Sequence, residues 1–309
     1  MGDGVARVGV VVLNWNGREY LGPCLDSLLL SDHPDFVVVV VDNGSEDGSV
    51  NELRARADVE LVALGENRRF AEGNNAGAKR AIELGAEVIL ILNNDTTIEP
   101  GALGILARAV DAGGLAAPRI VFADEPGRIW YGGGVFSSRT GYVGHRAIRR
   151  PVGAGADPPG TTDWVTGCAL AIRADLWQRL GGLDSGYYIY SEDVDLCLRA
   201  RAFGATIAYC PDAVVHHAVS ASVGGGSSPF KAYHRTRARR QLMRRHGRGP
   251  FWPAGLWIQD VAWALLRWIG GHADAARAVF AAMREPADAE PGYRVEDQFP
   301  QRGEPGCDR

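Results

Sequence analysis

The chain has 309 residues, of which 46% are hydrophobic and 23% are charged, which is enough for one large folded domain with appendages. The formal net charge of -4 excludes a general nucleic-acid binder, because such proteins carry excess positive charge to meet phosphates. The cysteines are odd in number and form no C-x-x-C pair: Cys24, Cys168, Cys197, Cys210 and Cys307. This pattern favours neither a zinc site nor a disulfide framework, and we expect a protein of the reducing cytoplasm.

The first hydrophobic run, residues 8–13, is too short for a signal peptide and predicts a strand that ends in a polar loop. Strands and amphipathic helices then alternate. We predict helices at 20–30, 49–57 and 74–84, and strands at 36–41, 59–64 and 87–92. Continuous Val, Ile and Leu strands in βαβ order indicate a mainly parallel sheet that is buried on both faces.

The pattern loosens between residues 118 and 162 into Gly-rich and Pro-rich sequence, with short β-like pieces at 128–131 and 141–144. This is typical of an insertion over a site rather than of a second core. Regular elements return as a strand at 164–173, helices at 174–180 and 191–203, and a strand at 206–210.

The C-terminal part begins with residues 231–250, which are basic and contain no acidic residue, and residues 251–269 hold four Trp. A basic helix followed by a Trp-rich one is typical of a membrane surface, so peripheral membrane contact through 231–270 is one interpretation. Alternatively, the second helix packs on the main domain, and the arginines cover an exposed face or bind a diphosphate. The tail at 285–309, rich in Pro, Gly and charge, predicts disorder.

Polar signatures follow three of the hydrophobic runs. They are Asp42-Asn43-Gly44 after residues 37–41, Asn93-Asn94-Asp95 after 88–92, and Ser191-Glu192-Asp193 after 188–190. In open α/β sheets, ligands bind beyond the carboxyl ends of the strands, where loop amides and helix N-termini meet. The signatures therefore predict a site for a nucleotide, a metal and a base.

Taken together, the motifs resemble the family 2 glycosyltransferases, in particular the rhamnosyltransferase-like branch. The matching segments lie at 10–16 (VVVLNWN), 41–49 (VDNGSEDGS), 67–75 (NRRFAEGNN), 92–95 (LNND), 166–168 (TGC), 191–199 (SEDVDLCLR) and 216–217 (HH). The resemblance covers about residues 7–240. It implies a GT-A fold, a Rossmann-like nucleotide-binding mixed and mainly parallel sheet flanked by helices, here with a C-terminal helical extension. It also implies transfer from a nucleoside-diphosphate sugar with inversion at the anomeric carbon.

The expected domains are a catalytic domain at 1–230, a basic and Trp-rich helical extension at 231–284, and the tail. Within the catalytic domain, residues 7–117 are the nucleotide-binding half and residues 118–230 are the acceptor-binding half.

The resemblance places Asp95 at the metal-binding carboxylate, with Asn93 where the family has a first acidic residue. One carboxylate, the diphosphate oxygens and water would then hold Mg²⁺ or Mn²⁺. His216, and less favourably His217, could add a ligand. From the residues alone, a turn or a helix cap is the preferred interpretation of Asp95.

In the family pattern, the Glu-Asp pair supplies the base that deprotonates the acceptor, so Asp193 is the first candidate, Glu192 the second, and Asp195 is structural. A general base contributes roughly 10²- to 10⁴-fold in rate. The alternative is a helix start, with Ser191 as N-cap and acids in the first turn.

The nucleotide is expected near Asn14, Asp42 and Asn94, and near Gly73 and Asn74, which the periodicity places at a helix N-terminus. Read without the family, these positions are turns and caps. Four residues are candidates for the acceptor pocket: Trp164, Thr166, Gly167 and Cys168.

The sequence therefore predicts a cytoplasmic, metal-dependent inverting glycosyltransferase. dTDP-rhamnose is the favoured donor and a UDP-hexose the second choice. The acceptor is a saccharide, a lipid-linked saccharide at the inner face of the membrane, or a small molecule. Two other functions remain open, a non-catalytic sugar-nucleotide-binding or scaffold protein and a sugar-phosphate nucleotidyltransferase. The latter ordinarily has a Gly-rich loop with a basic residue near the N-terminus, which residues 14–18 do not resemble.

Overall fold

The computed structural model describes residues 5–153, 155, 157–219 and 228–286. The first third of the chain alternates strands and helices, as the periodicity predicts. Its elements are β1 (Val8–Asn14), α1 (Arg18–Leu29), β2 (Phe36–Asp42), α2 (Ser49–Arg54), β3 (Glu60–Ala63), α3 (Arg69–Glu83) and β4 (Val88–Asn93). The strands β1, β2 and β4 are almost entirely buried, as expected for parallel strands covered on both faces.

The register of these strands brings their polar ends together. β1 pairs in parallel with β2 and with β4, so that Asn14 lies opposite Asp42 and Leu13 opposite Asn93. We call the line formed by these strand ends the carboxyl edge.

The second part of the sheet is mixed. Its elements are β5 (Thr96–Ile98), α4 (Ala102–Gly113), β6 (Gly114–Phe122), β7 (Ile129–Tyr131), β8 (Gly134–Phe136), β9 (Val143–His145), β10 (Gly160–Thr161), β11 (Ala169–Arg173), α5 (Ala174–Leu180), α6 (Glu192–Ala202) and β12 (Thr206–His217). The main path of the sheet runs β10-β12-β6-β11-β4-β1-β2-β3, with β11 antiparallel to both neighbours and β6 parallel to β12. The predicted α/β class, a mixed sheet flanked by helices, is confirmed.

Two boundaries differ from prediction because of tertiary contacts. Strand β6 continues through Pro118, where the pattern predicted irregular chain. The proline is tolerated because the partner strand β12 has a register shift between Cys210 and Val214, beside Pro118. Helix α3 begins at Arg69 rather than at Asn74. Asn43, in the loop after β2, holds the chain just before this start, because its side chain accepts a hydrogen bond from the N–H of Arg68.

The two strands around the candidate acceptor and histidine residues also differ from prediction. Residues 164–168 form a loop, and β11 begins only at Ala169. Strand β12 is longer than predicted and ends at His217, so both histidines belong to a strand.

The C-terminal helices are α7 (Pro229–His246), α8 (Trp252–Ile269) and α9 (Ala273–Arg284). A C-terminal helical extension is present, as predicted; α7 begins at Pro229, two residues before the predicted start of the extension at residue 231. From residue 287 onward, the tail expected to be disordered lies outside the described residues. None of the helices in the described ranges has the length and apolar character needed to cross a bilayer.

Candidate active site

The carboxyl edge gathers three of the residues predicted to bind the nucleotide. Asn14 is fully buried, and its Nδ2 donates to Ser49 Oγ at 2.9 Å and to Asp42 Oδ1 at 3.4 Å. Its Oδ1 accepts from Asn94 Nδ2 at 2.9 Å. Asn14, Asp42 and Asn94 therefore form one hydrogen-bonded group, held by the parallel register of β1 and β2.

Asn43 is an organising residue that the sequence reasoning did not single out. It is buried, donates to Asn67 Oδ1 at 3.0 Å, and accepts the backbone N–H of Arg68 at 2.8 Å. Its side chain thus ties the loop after β2 to the start of α3. The only signal in the sequence was its place inside a matching motif.

Gly73 and Asn74 do not lie at a helix N-terminus, because α3 begins at Arg69. A Cβ on Gly73 would lie 2.4 Å from Leu13 Cδ1, so this glycine lets α3 pack closely on β1. Asn74 is fully buried and donates to Phe70 O at 2.9 Å within its own helix. These contacts explain both residues as packing and helix positions, and correct their expected place at a phosphate-binding helix end.

Asp95 lies in the turn between β4 and β5 and is 8% exposed. The Nε2 atom of His217 is 3.3 Å from Asp95 Oδ1. Burial opposes positive charge on His217, but its contacts with Cys168 and Asp95 outweigh burial and raise its pKa above the ordinary value. Burial raises the pKa of the Cys168 thiol.

The sequence favoured His216 over His217 as the histidine near Asp95, and the structure places His217 there. Successive side chains on a strand point to opposite faces, so His216 and His217 cannot both face Asp95. His216 Nε2 lies 3.4 Å from Glu99 Oε1, and His217 contacts Asp95. The structure therefore makes His217, not His216, the histidine beside the candidate metal-binding carboxylate.

The Asp193 carboxylate lies against the loop that precedes β11. Its Oδ2 accepts the N–H of Gly167 at 2.8 Å, and its Oδ1 accepts the N–H of Val194 at 2.8 Å. A Cβ on Gly167 would lie 2.9 Å from Phe70 Cζ, so this glycine lets the loop pack closely on the Phe70 ring. Burial raises the pKa of Asp193, partly offset by these two N–H groups, which makes the carboxylate a better proton acceptor.

Glu192 is 6% exposed, and its Oε2 atom has no hydrogen-bond partner among the described residues. Burial, and then the neighbouring charge of Asp193, raise its pKa. The pKa of Asp193 is raised as well, so the direction of the shift does not separate the two carboxylates. Asp193 differs in that the backbone N–H groups of Gly167 and Val194 donate to it.

Asp195 is structural, as predicted, and links α6 to α7. It is 1% exposed and accepts from Arg199 Nε at 2.7 Å, and His246 Nε2 lies 2.8 Å from it. Ser191 precedes α6 at the N-cap position, but its side chain makes no capping hydrogen bond.

The four acceptor candidates separate into two groups. Trp164 is 4% exposed, donates to Val135 O at 3.2 Å, and packs edge-on against Tyr131, so it belongs to the core. Thr166 and Cys168 are also buried, whereas Gly167 directly contacts Asp193. Of these candidates, Gly167 has the clearest link to the site.

The residues present fit a metal only if the substrate completes its coordination. Within the described ranges, no group of three or more His, Cys, Asp or Glu side chains has metal-binding geometry. Asp95 Oδ1 is buried with His217 Nε2 3.3 Å away, so one carboxylate and one imidazole nitrogen meet here. Mg²⁺ typically binds one or two carboxylates together with substrate phosphates, which agrees with this donor set.

Comparison with known proteins identifies the family. A sequence model described as "Glycosyltransferase like family 2" matches residues 6–243. The chain belongs to the family 2 glycosyltransferases. This glycosyltransferase is 26% identical over 289 residues to the N-acetylglucosaminyl-diphospho-decaprenol L-rhamnosyltransferase of Mycobacterium tuberculosis, covering 83% of this chain and 88% of the relative. It is 24% identical over 237 residues to the dTDP-rhamnosyl transferase RfbF of Shigella flexneri, covering 74% and 76%.

A third relative is much longer. The O-antigen biosynthesis protein RfbC of Myxococcus xanthus is 29% identical over 241 residues, which are 74% of this glycosyltransferase but only 19% of that protein.

Solved structures confirm the GT-A fold. The mannosyltransferase PcManGT of Pyrobaculum calidifontis, in complex with GDP-Man and Mn²⁺, superposes with a TM-score of 0.56 at 20% identity, covering 91% of this glycosyltransferase and 75% of that chain. GalNAc-T7 with UDP, GalNAc and Mn²⁺ superposes with a TM-score of 0.58 at 14% identity, covering 77% and 48%. At these identities the likeness establishes the fold.

Proposed function

We propose that the chain is a metal-dependent inverting glycosyltransferase that transfers a sugar from a nucleoside-diphosphate sugar to an acceptor hydroxyl. The observation that carries the proposal is a continuous set of contacts between the candidate base and the candidate metal-binding carboxylate. Asp193 accepts from Gly167, the next residue Cys168 contacts His217, and His217 contacts Asp95. Asp193, the candidate base, and His217, which contacts the candidate metal-binding residue Asp95, therefore both contact the loop formed by residues 164–168.

The favoured donor is dTDP-rhamnose, with a UDP-hexose as the second choice. Two relatives named as rhamnosyltransferases support this preference, one of them named for dTDP-rhamnose. We assign the nucleotide to the half formed by residues 7–117, around Asn14, Asp42 and Asn94. The acceptor, a saccharide, a lipid-linked saccharide or a small molecule, is assigned to residues 118–230.

In the proposed reaction, the acceptor oxygen forms a bond to the anomeric carbon while the bond from that carbon to the diphosphate oxygen breaks. The electron pair leaves with the nucleoside diphosphate, and the hydroxyl proton passes to Asp193. The raised pKa makes this carboxylate a stronger proton acceptor. Attack opposite to the leaving group inverts the anomeric configuration.

A divalent cation, Mg²⁺ or Mn²⁺, would supply positive charge for the developing diphosphate. Asp95 and His217 are the residues that would hold it. The Mn²⁺-bound structures of PcManGT and GalNAc-T7 support the use of a cation by this fold.

We place the reaction in the cytoplasm. A lipid-linked acceptor would bring the protein to the inner face of the membrane, through peripheral contact within residues 231–270.

The test combines binding and transfer. Calorimetric titration with dTDP, UDP and GDP, each with Mn²⁺ and again with EDTA, should show metal-dependent binding of one nucleotide. Transfer of the matching sugar should fall roughly 10²- to 10⁴-fold in Asp193→Asn while nucleotide affinity stays unchanged. The control is Asp212→Asn, an exposed carboxylate on β12, which should keep full activity.

Three outcomes would count against parts of this proposal. Nucleotide binding without transfer to any acceptor favours a scaffold or binding protein. Full transfer activity in Asp193→Asn would remove that residue from the base role. Nucleotide binding that EDTA does not change would contradict the proposal that Asp95 and His217 hold a metal.

A further inference from the structure

Helix α8 presents an uncharged apolar face to solvent. At 3.6 residues per turn, about half of its circumference faces outward. The positions on that half are all apolar: Trp257, Ile258, Val261, Ala262, Leu265, Leu266, Trp268 and Ile269. Several are extensively exposed, with Ile258 at 60%, Leu266 at 67% and Ile269 at 81%. We call these eight residues the outer face of α8.

Both charged residues of α8 face the protein instead. Asp260 is fully buried and pairs with Arg239 and Arg240 of α7, the latter at 3.2 Å. Arg267 stacks on the ring of Trp263, with its Cζ 4.1 Å from the ring centroid. The side of α8 that carries Asp260 is therefore docked on α7, and most residues of the outer face are exposed to solvent.

The structure changes the role expected for the basic segment. Arg239 and Arg240 bind Asp260, Arg245 pairs with Asp184, and Arg235 lies over Tyr190. Arg244 and Arg248 are exposed at the end of α7 and just after it, directly before α8. Residues 213–259 contain no Asp or Glu, so Arg244 and Arg248 have no acidic neighbour close to them along the chain.

A large exposed apolar patch marks an interaction surface. A helix with one apolar face, Trp residues on that face and cations beside it lies in the plane of a membrane interface. Spanning the bilayer is excluded for α8, which does not have the length and apolar character to cross it.

We propose that α8 docks in the plane of a lipid bilayer, with its outer face inserted below the headgroups and Arg244 and Arg248 on anionic lipid phosphates. This inference rests on the proposed function, because a membrane-docked transferase acts on a lipid-linked acceptor. Apolar insertion supplies most of the affinity, and the two arginines add a preference for anionic lipid.

The test is flotation of the full chain with vesicles of phosphatidylcholine, with and without phosphatidylglycerol. The wild type should bind both, more tightly the anionic ones, and brominated lipid should quench its Trp fluorescence. The double variant Ile258→Gln/Leu266→Gln should bind at least about tenfold more weakly to both vesicles. Gln is nearly as good a helix former as Leu, so α8 should remain folded.

Two controls separate insertion from general effects. Leu29→Gln/Leu30→Gln changes two exposed leucines near the end of α1 and should bind like the wild type. Arg244→Gln/Arg248→Gln should lose only the preference for anionic vesicles. All variants should keep the wild-type rate on a water-soluble acceptor, which separates failure of docking from failure of the transferase assignment.

The proposal is overturned if the wild type does not bind vesicles, or if Ile258→Gln/Leu266→Gln binds as the wild type does. Sedimentation without lipid identifies the competing occupant of the outer face. A wild-type dimer that the outer-face variant dissociates, with no vesicle binding, would assign this face to a second copy of the chain.

Discussion

The substitution Asp195→Asn should destabilise the protein by weakening the junction between α6 and α7. The side chain is 1% exposed and is approached by Arg199 Nε at 2.7 Å, His246 Nε2 at 2.8 Å and Tyr187 OH at 3.3 Å. Asparagine has almost the same shape but no charge. One side of its amide donates hydrogen bonds, so at least one of these donors would lose its acceptor.

Removing one partner from a buried ion pair costs about 3–5 kcal/mol. The cost should be smaller here, because the Arg199 side chain is 26% exposed and also donates to Leu180 O and Gly182 O. Water and these carbonyls can solvate the guanidinium after the carboxylate is gone. We therefore expect a loss of about 2–3 kcal/mol, or a fall in Tm of about 4–12 °C for a chain of this size.

Urea unfolding followed by Trp fluorescence measures this loss, with Asp212→Asn as the exposed control, expected within about 0.5 kcal/mol of wild type. Burial opposes ionisation of Asp195, but its bonds to His246 and Arg199 lower the pKa overall. Its stabilisation is therefore complete above the ordinary Asp pKa of about 3.9, and it is lost as pH falls through the lower folded-state value. The difference between wild type and Asp195→Asn should shrink below about pH 4. An unchanged urea midpoint in Asp195→Asn would refute the reasoning.

Three further substitutions test packing, protonation and the carboxyl edge. Gly77→Ala should cost about 1–3 kcal/mol in urea unfolding, because its Cβ would lie 2.3 Å from Val11 Cγ1. Gly255→Ala in α8, whose Cβ would meet no atom closer than 3.6 Å, should instead stabilise by about 0.5–1 kcal/mol, and equal effects would contradict the packing argument. The pKa of Glu192 is raised in the folded protein, so the folded chain keeps a proton that the unfolded chain releases above about pH 4.3. The free energy of unfolding of wild type, relative to that of Glu192→Gln, should therefore fall as pH rises to neutrality. Parallel pH profiles for the two proteins would show that Glu192 ionises normally. Asn14→Ala should lower the free energy of unfolding by about 1–3 kcal/mol in thermal unfolding, because it leaves the buried partners of Asn14 unsatisfied. It should also weaken nucleotide binding in calorimetry, and unchanged affinity would show that Asn14 does not contribute to the nucleotide site.

The basic, Trp-rich segment shows how tertiary contacts alter a sequence interpretation. The sequence displays a run of arginines, and runs of like charge are usually solvated. In the structure, Arg239 and Arg240 bind the buried Asp260, and Arg245 pairs with Asp184. Which arginines remain at the surface depends on how α7 packs against α8 and against the loop between α5 and α6, and no local pattern contains that information.

The sequence by itself determined the buried Val, Ile and Leu strands, the polar residues that follow them, and the membership of a glycosyltransferase family. These features are local, because strand periodicity, turn chemistry and motif spacing depend on residues that are close in the chain. The sequence also assigned a structural role to Asp195 and the role of base to Asp193. The buried contacts of Asp195 with Arg199 and His246 support the structural role.

Only the tertiary structure decided which side chains meet. Strand alternation selected His217 over His216 for the contact with Asp95, and a hydrogen bond from Arg68 to Asn43 placed the start of α3 ahead of Gly73. The register shift beside Pro118 allowed β6 to continue where the sequence predicted irregular chain. Each of these outcomes depends on residues far apart in the chain, whose energies appear only when the sheet and helices are packed together.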